Sequence, residues 1–207
     1  DLFKQYLRCG KVLYWSIDRD CLPMSPDLKE DELQFCYLGS INNIIDISMI
    51  IAFLRECSIL KKCVLHIIGN GEKKEEFIQK VLAVGVNVID HKEVYDQREK
   101  QEIFDQCNYG LNVMKSSVCV GLTMKSLDYM CAGLPIINTI QGDTKNFCEE
   151  WDIGFNIDRE NIKVIANQVC LESMDVQLQR RKNIQTLYNS YFTKKRFYEV
   201  LDKALDL

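Results

Sequence analysis

Apolar residues follow two periods along this chain, and the two periods alternate from residue 34 to about residue 172. Short continuous apolar runs such as "QFCYL" and "CVLHII" predict strands that are buried on both faces. Between them, stretches such as "EKKEEFIQKVLAVG" repeat apolar residues every three or four positions and predict amphipathic helices. Strands that alternate with helices at this spacing predict βαβ units. The pattern therefore predicts an α/β fold with a parallel sheet flanked by helices.

The segments on either side of this region have a different character. Residues 1–33 hold Pro23, Pro26 and the charged run "DLKEDE", and they predict a short strand near "VLYWSI" followed by a linker. Residues 34–172 form the predicted domain. Residues 173–207 predict two closing helices with an exposed apolar stripe, contributed by Tyr188, Tyr191, Phe192, Phe197 and Leu201.

Composition narrows the class of protein. The 207 residues are 47% hydrophobic and 27% charged, as in an ordinary globular protein, and the net charge of -4 argues against general nucleic-acid binding. No apolar run has the length of a membrane span, and the first ten residues show no signal-peptide pattern. The ten cysteines form no CxxC pair and are accompanied by only two histidines, which disfavours a zinc site. Reduced thiols in the cytoplasm are expected.

The stretch "KSLDYMCAGLPIINT", residues 125–139, combines a helix, a glycine stop and a buried strand. Gly121 would let the preceding loop approach a ligand, and Thr123 is a plausible N-cap. Lys125 then falls in the first helical turn, where a cation opposes the helix dipole unless an anion such as phosphate binds there. Asp128 follows three residues later, near the same face, and could accept two sugar hydroxyls. The alternative is a surface Lys–Asp pair without a ligand.

The longer segment "GLTMKSLDYMCAGLPIINT" resembles the signature of retaining GT-B glycosyltransferases of the family 4, or group 1, type. Their pattern runs roughly P-x-K-l-x-E-y-m-A-x-G-l-P-V-I. "FCYLGSINNIIDISMIIAFL" and "CVLHIIGNGEKKEEFIQKV" are similar to earlier segments of the same domain, and the resemblance covers residues 34 to about 200 in the family's order. It implies a Rossmann-like parallel sheet flanked by helices, the C-terminal half of a GT-B fold.

The resemblance also implies roles for particular residues. The family binds a nucleotide-sugar between two domains, and the C-terminal domain holds most of the nucleotide. Carried over by position, Gly39 and Ser40 would approach the diphosphate, and Thr123 and Met124 would offer it backbone amides. Lys125 would supply the catalytic charge on the leaving diphosphate, Asp128 would hold the ribose, and His91 to Val94 would lie near the base. Gly121 belongs to the same predicted site as the point where the loop comes close to the ligand. Two positions depart from the family, because Asp128 replaces a glutamate and Val120 stands where many members have a glutamate that contacts the transferred sugar.

The implied activity is transfer of a hexose from a nucleoside-diphosphate sugar, with UDP the expected nucleotide, to a glycan or lipid-linked acceptor in polysaccharide biosynthesis. No metal or other cofactor is expected. The chain is expected to need an N-terminal GT-B domain, in cis or in trans, and to be inactive alone. A cytoplasmic location is expected. Two further properties are left open: peripheral contact of the full enzyme with the inner face of the cell membrane, and weak homo-oligomer formation.

The missing acid at Val120 keeps a second hypothesis open, a catalytically silent nucleotide-binding or regulatory module of the same fold. An epimerase of this fold and a receiver-like domain are less favoured, since histidines are few and "YLGS" carries no acidic cluster. The "GNGEKK" segment lacks a third glycine and indicates a tight turn rather than a dinucleotide fingerprint. "DRD", residues 18–20, is interpreted as a solvated linker rather than a metal site, and Cys119 as a bystander.

Overall fold

A computed structural model describes residues 12–16 and 21–205, and it shows six parallel strands in one sheet. The strands are Glu32–Leu38 (β1), Lys62–Ile68 (β2), Asn87–Asp90 (β3), Tyr109–Asn112 (β4), Ile136–Asn138 (β5) and Gly154–Asn156 (β6). The helices are Ile47–Leu60 (α1), Lys74–Ala83 (α2), Gln97–Gln106 (α3), Met124–Ala132 (α4), Asp143–Trp151 (α5), Ile162–Leu171 (α6), Met174–Tyr191 (α7) and Lys194–Leu205 (α8).

The sheet has the order β3-β2-β1-β4-β5-β6, and helices cover both faces. Successive residues of β1 point to opposite sides, so Phe35 and Tyr37 join the core under α1, α2 and α6. Cys36 and Leu38 join the second core, which packs under α3, α4, α5 and α7. The predicted α/β fold with a parallel sheet is confirmed, and its continuous apolar strands reflect burial on both faces.

The direction in which successive strands are added to the sheet reverses between β1 and β4. These two strands pair over a short stretch and then diverge. They pair at Phe35 with Tyr109 and at Cys36 with Gly110. Beyond that point the Tyr129 hydroxyl of α4 accepts a hydrogen bond from the Leu38 amide at 2.8 Å and donates to the Cys36 carbonyl at 3.2 Å. Gly110 makes room, since a Cβ there would lie 2.9 Å from the Tyr129 ring. Tyr129 therefore fixes α4 to β1 at the switch point, where ligands bind in open α/β sheets.

The closing helix α7 is held to the domain by a buried arginine. The guanidinium of Arg181 donates to the carbonyls of Phe104 at 2.8 Å, of Cys107, and of Gly133 at 3.5 Å. These carbonyls lie at the C-terminal ends of α3 and α4, where the helix dipole favours a cation. Asp105 lies 3.7 Å from the same guanidinium and balances its charge.

The predicted exposed stripe on the closing helices is wrong. Tyr188 and Phe192 are fully buried, while Tyr191, Phe197 and Leu201 are partly buried. Rings from other parts of the chain cover this region: Phe192 lies 5.8 Å from Phe147 of α5 and 5.2 Å from Tyr14, measured between ring centroids. The aromatic residues at the end of α7 therefore complete the core of their own domain.

Tyr14 belongs to the segment for which a strand was predicted near "VLYWSI". Residues 12–16 have no regular secondary structure, so the strand prediction is wrong for this part, and Ile17 lies outside the described residues. The ring of Tyr14 packs this segment against Phe147, Tyr191 and Phe192. The "DRD" run at 18–20 also falls outside the described residues. No helix in the described ranges has both the length and the hydropathy that a bilayer crossing requires.

Candidate functional site

A pocket of about 460 Å³ opens at the carboxyl ends of β1 and β2. Three of the predicted site residues, Gly39, Ser40 and Val94, line it together. The rest of the lining comes from the same loops and the strand ends: Leu38, Ile68, Gly69, Asn70, Gly71, Glu93 and Tyr95. The structure thus brings the loops after β1, β2 and β3 into one concave surface.

The backbone at Gly39 faces open space in this pocket. Its φ of 110° lies in the left-handed region, and a Cβ built there would meet no atom within 4 Å. Gly69 packs directly behind it, since a Cβ at Gly69 would lie 2.2 Å from the Gly39 carbonyl oxygen. The "GNG" turn is therefore a tight turn, as predicted, and it also forms a wall of the pocket. A ligand can approach the main chain at Gly39 without meeting a side chain.

The amino end of α4 carries the expected N-cap. The Thr123 hydroxyl accepts from the Ser126 amide at 3.1 Å, and the Ser126 hydroxyl accepts from the Thr123 amide at 3.4 Å, which makes a reciprocal capping box. Gly133 ends the helix with φ 70°, as predicted. The box uses the Ser126 amide, so the amides of Met124 and Lys125 are the first-turn donors without an acceptor inside the helix.

Gly121 ties two segments of the fold together, and its predicted approach to a ligand stays a prediction. Its carbonyl accepts from the amide and the hydroxyl of Thr144, at 2.9 and 2.6 Å, and so ties the loop before α4 to the start of α5. A Cβ at this position would meet its nearest neighbour at 3.7 Å, an ordinary contact. The described neighbours therefore do not crowd this position, and the predicted approach of a ligand is not blocked.

Lys125 does not line the pocket, because its side chain turns towards β1. Its Nζ is buried, has no hydrogen-bond partner among the described residues, and lies 4.3 Å from the ring centroid of Tyr37. Burial lowers the pKa of Lys125 to about 8. The Tyr37 hydroxyl donates to the Ser40 carbonyl at 2.8 Å, so the ring that holds the ammonium is itself tied to the pocket loop.

Asp128 faces away from Lys125, contrary to the expectation that the two share a face. It lines a separate small cavity with Leu22, Gln97 and Lys100, and its Oδ1 lies 4.0 Å from the Lys100 Nζ. Three-residue spacing brings two helical residues near one another only if both side chains lean the same way. Here the lysine leans to β1 and the aspartate to α3.

His91 is also engaged inside the fold. Its Nε2 lies 2.9 Å from Nδ1 of His66, and Nε2 of His66 lies 2.7 Å from Oε1 of Gln34. Burial lowers the pKa of both imidazoles, that of His66 to about 4. The neighbouring Tyr95 was not predicted, although it lines the pocket and is 81% exposed. Its position directly after His91–Val94 is the sequence signal that could have found it.

The sheet order, the pocket at the strand ends and the capped amino end of α4 together define a Rossmann-like half of the GT-B architecture. The chain belongs to the family Glycosyl transferases group 1, whose sequence profile matches residues 32–171. Among the described residues, no three His, Cys, Asp or Glu side chains come together as metal ligands. No match was found among curated protein sequences.

Several solved structures share this fold at low sequence identity. The lipopolysaccharide outer core galactosyltransferase WaaB in its apo form is 16% identical, with a TM-score of 0.69 over 94% of this chain and 55% of WaaB. A TarM mutant from S. aureus, in complex with Fondaparinux, alpha-GlcNAc-glycerol and UDP, is 14% identical, with a TM-score of 0.68 over 98% of this chain and 40% of TarM. Anabaena Alr3699/HepE, in complex with UDP and glucose, is 14% identical, with a TM-score of 0.66 over 85% of this chain and 48% of HepE. The chain thus spans about half the length of these proteins, or less.

Proposed function

We propose that this chain is the nucleotide-sugar-binding half of a retaining glycosyltransferase. The donor would be a hexose linked to a nucleoside diphosphate, with UDP the expected nucleotide, and the acceptor a glycan or a lipid-linked glycan. The rest of the cleft, including the acceptor site, would come from a second domain in cis or in trans. We expect the chain to transfer no sugar by itself, because positioning of the acceptor supplies much of the rate. The cytoplasmic placement stays a prediction.

The observation that carries the proposal is the open main chain at Gly39, inside the pocket at the carboxyl ends of β1 and β2. An open parallel sheet binds nucleotides at this edge, and a backbone without a side chain admits a diphosphate closely. The capped amino end of α4 would contribute the amides of Met124 and Lys125 and the positive end of its dipole. These groups suit an anion without a metal, so we propose binding that is independent of divalent cations.

Lys125 would have to leave the Tyr37 ring in order to meet a phosphate. A cation over an aromatic ring contributes about 0.5–2 kcal/mol, whereas a hydrogen bond to a charged group contributes about 1.5–3 kcal/mol. The exchange therefore favours the phosphate. Once there, the ammonium and the helix end would stabilise the charge that develops on the leaving diphosphate.

The second candidate function is a silent nucleotide-binding module. Val120 favours it, because this position offers no carboxylate to a donor sugar. The two candidates share the nucleotide site and differ in turnover, so binding alone does not separate them.

The test measures binding of UDP, GDP and ADP to the purified chain by calorimetry, with and without EDTA, and donor turnover by the chain joined to its second domain. Binding in EDTA and turnover by the joined protein are the expected results. Binding without turnover in the joined protein would favour the silent module. Binding that EDTA abolishes would contradict the metal-free site, and transfer by the lone chain would contradict the need for a second domain.

A further inference from the structure

Three asparagines form a row across the sheet, one at the last residue of each of β4, β5 and β6. The strand register places Asn112 beside Asn138 and Asn138 beside Asn156. Nδ2 of Asn112 donates to Oδ1 of Asn138 at 3.0 Å, and Nδ2 of Asn138 donates to Oδ1 of Asn156 at 2.8 Å. Asn112 and Asn138 are fully buried, so their amides depend on these partners.

Both ends of the row are tied to helices. At one end, Nδ2 of Asn112 also donates to the Ser126 hydroxyl at 3.0 Å, and its Oδ1 accepts from the Thr123 hydroxyl at 3.4 Å. At the other end, Nδ2 of Asn156 donates to the Lys145 carbonyl at 3.1 Å and to the Glu149 carboxylate at 3.3 Å. The row therefore joins the capping box of α4 to α5.

The donors and acceptors in this row can be assigned in only one consistent way. Because the Thr123 hydroxyl gives its proton to Asn112, the Ser126 hydroxyl must donate to Thr123 across their 2.8 Å contact. Asn138 is likewise saturated, since it also donates to the Ile140 carbonyl and accepts from the Ile140 amide. A fully satisfied buried network holds its members in one arrangement. The amides of Met124 and Lys125 lie just outside it, as the first-turn donors that the box does not use.

We propose that Asn112, Asn138 and Asn156 are positioning residues that hold the amino end of α4 in the geometry that binds the diphosphate. The inference rests on the proposed function for the ligand, and on the hydrogen-bond row for the geometry. None of the three asparagines contacts the pocket lined by Gly39, so they act through Thr123 and Ser126. Loosening the row should weaken contacts to the phosphates and spare contacts to the nucleoside.

The central variant is Asn138→Leu, which keeps the branching at Cγ and removes the bonds to both neighbours. The matched control is Asn108→Leu, since Asn108 is equally buried and its bonds go to Gln34 and Gln177, away from α4. Should Asn138→Leu not fold, Asn156→Ala removes only the outer end of the row and keeps the test available. For Asn138→Leu we expect the Kd for UDP to rise about tenfold and the Kd for uridine to stay within about twofold.

A second readout needs no ligand. Hydrogen exchange at the amides of Ser126 and Leu127, which bond to Thr123, should quicken in Asn138→Leu but not in Asn108→Leu. The proposal is overturned if the two variants give the same exchange in α4 and the same ratio of UDP to uridine affinity. If the wild-type chain binds no nucleoside diphosphate, the proposed function fails. The exchange comparison then still decides whether the row positions the helix.

Discussion

Replacing Lys125 with methionine should have two opposite effects: it should stabilise the free protein and weaken the binding of its ligand. Methionine has a similar length and removes a buried ammonium that has no hydrogen-bond partner among the described residues. Burial moves the pKa of Lys125 from an ordinary 10.5 to about 8, which corresponds to about 3 kcal/mol of unfavourable free energy for the charged form. The lost contact with Tyr37 offsets about 0.5–2 kcal/mol of that. We expect a net gain of about 1–3 kcal/mol at pH 7.

The sign of the pH dependence follows from the direction of the shift. The folded protein releases its Lys125 proton near pH 8, while the unfolded chain keeps its proton up to about pH 10.5. For this group alone, the free energy of unfolding therefore rises with pH between these values and is lowest below pH 8. The advantage of Lys125→Met should be full at pH 7 and shrink above pH 8. Urea unfolding at pH 7 and pH 9.5 measures both quantities.

Ligand binding should change in the opposite direction. Loss of one charge-assisted contact should weaken UDP binding by about 1.5–3 kcal/mol and leave uridine nearly unchanged. Wild-type protein should also take up a proton when UDP binds at pH 8 to 9, because an anion restores the charged lysine. Lys125→Arg is the matched control, since a guanidinium stays charged and takes up no proton there. A destabilised Lys125→Met variant, or equal losses for UDP and uridine, would refute the assignment.

Three further predictions concern His66, Asp128 and Arg181. Burial, and then the nearby His91, lower the pKa of His66 to about 4, so the unfolded chain binds a proton near pH 6.5 that the folded chain excludes. The free energy of unfolding should therefore be about 2–3 kcal/mol lower at pH 4.5 than at pH 7. His66→Phe should flatten this pH dependence, and an unchanged slope would contradict the prediction. The ribose role that the family resemblance implies for Asp128 predicts that Asp128→Asn weakens UDP and spares its 2′,3′-dideoxy analogue in calorimetry. Equal losses for the two ligands would assign Asp128 to its contact with Lys100 instead. Arg181→Leu should lower the free energy of unfolding, measured in urea, by about 3–5 kcal/mol, because it leaves carbonyls at two helix ends unpaired. A loss below about 1 kcal/mol would show that water replaces the guanidinium.

The elements of the fold and their order could be predicted from the sequence because each depends on local chemistry. Thr123 can accept from a first-turn amide wherever it precedes a helix, and it is the N-cap of α4 in the structure. Gly133 can take a left-handed conformation without a Cβ, so its place at the end of α4 was also readable. Gly39, Ser40 and Val94 were predicted from the family resemblance, and their loops meet because parallel strands share one carboxyl edge.

Tertiary structure alone decided where the charged side chains of the site point. The sequence places Lys125 and Asp128 three residues apart, but Tyr37 and Lys100 attract them in different directions, and those neighbours are 88 and 28 residues away along the chain. The asparagine row and the burial of Tyr188 and Phe192 are equally remote from any local pattern. The period of a helix fixes the direction in which a Cβ leaves it, whereas the resting place of a long or polar side chain depends on partners that only the folded sheet brings near.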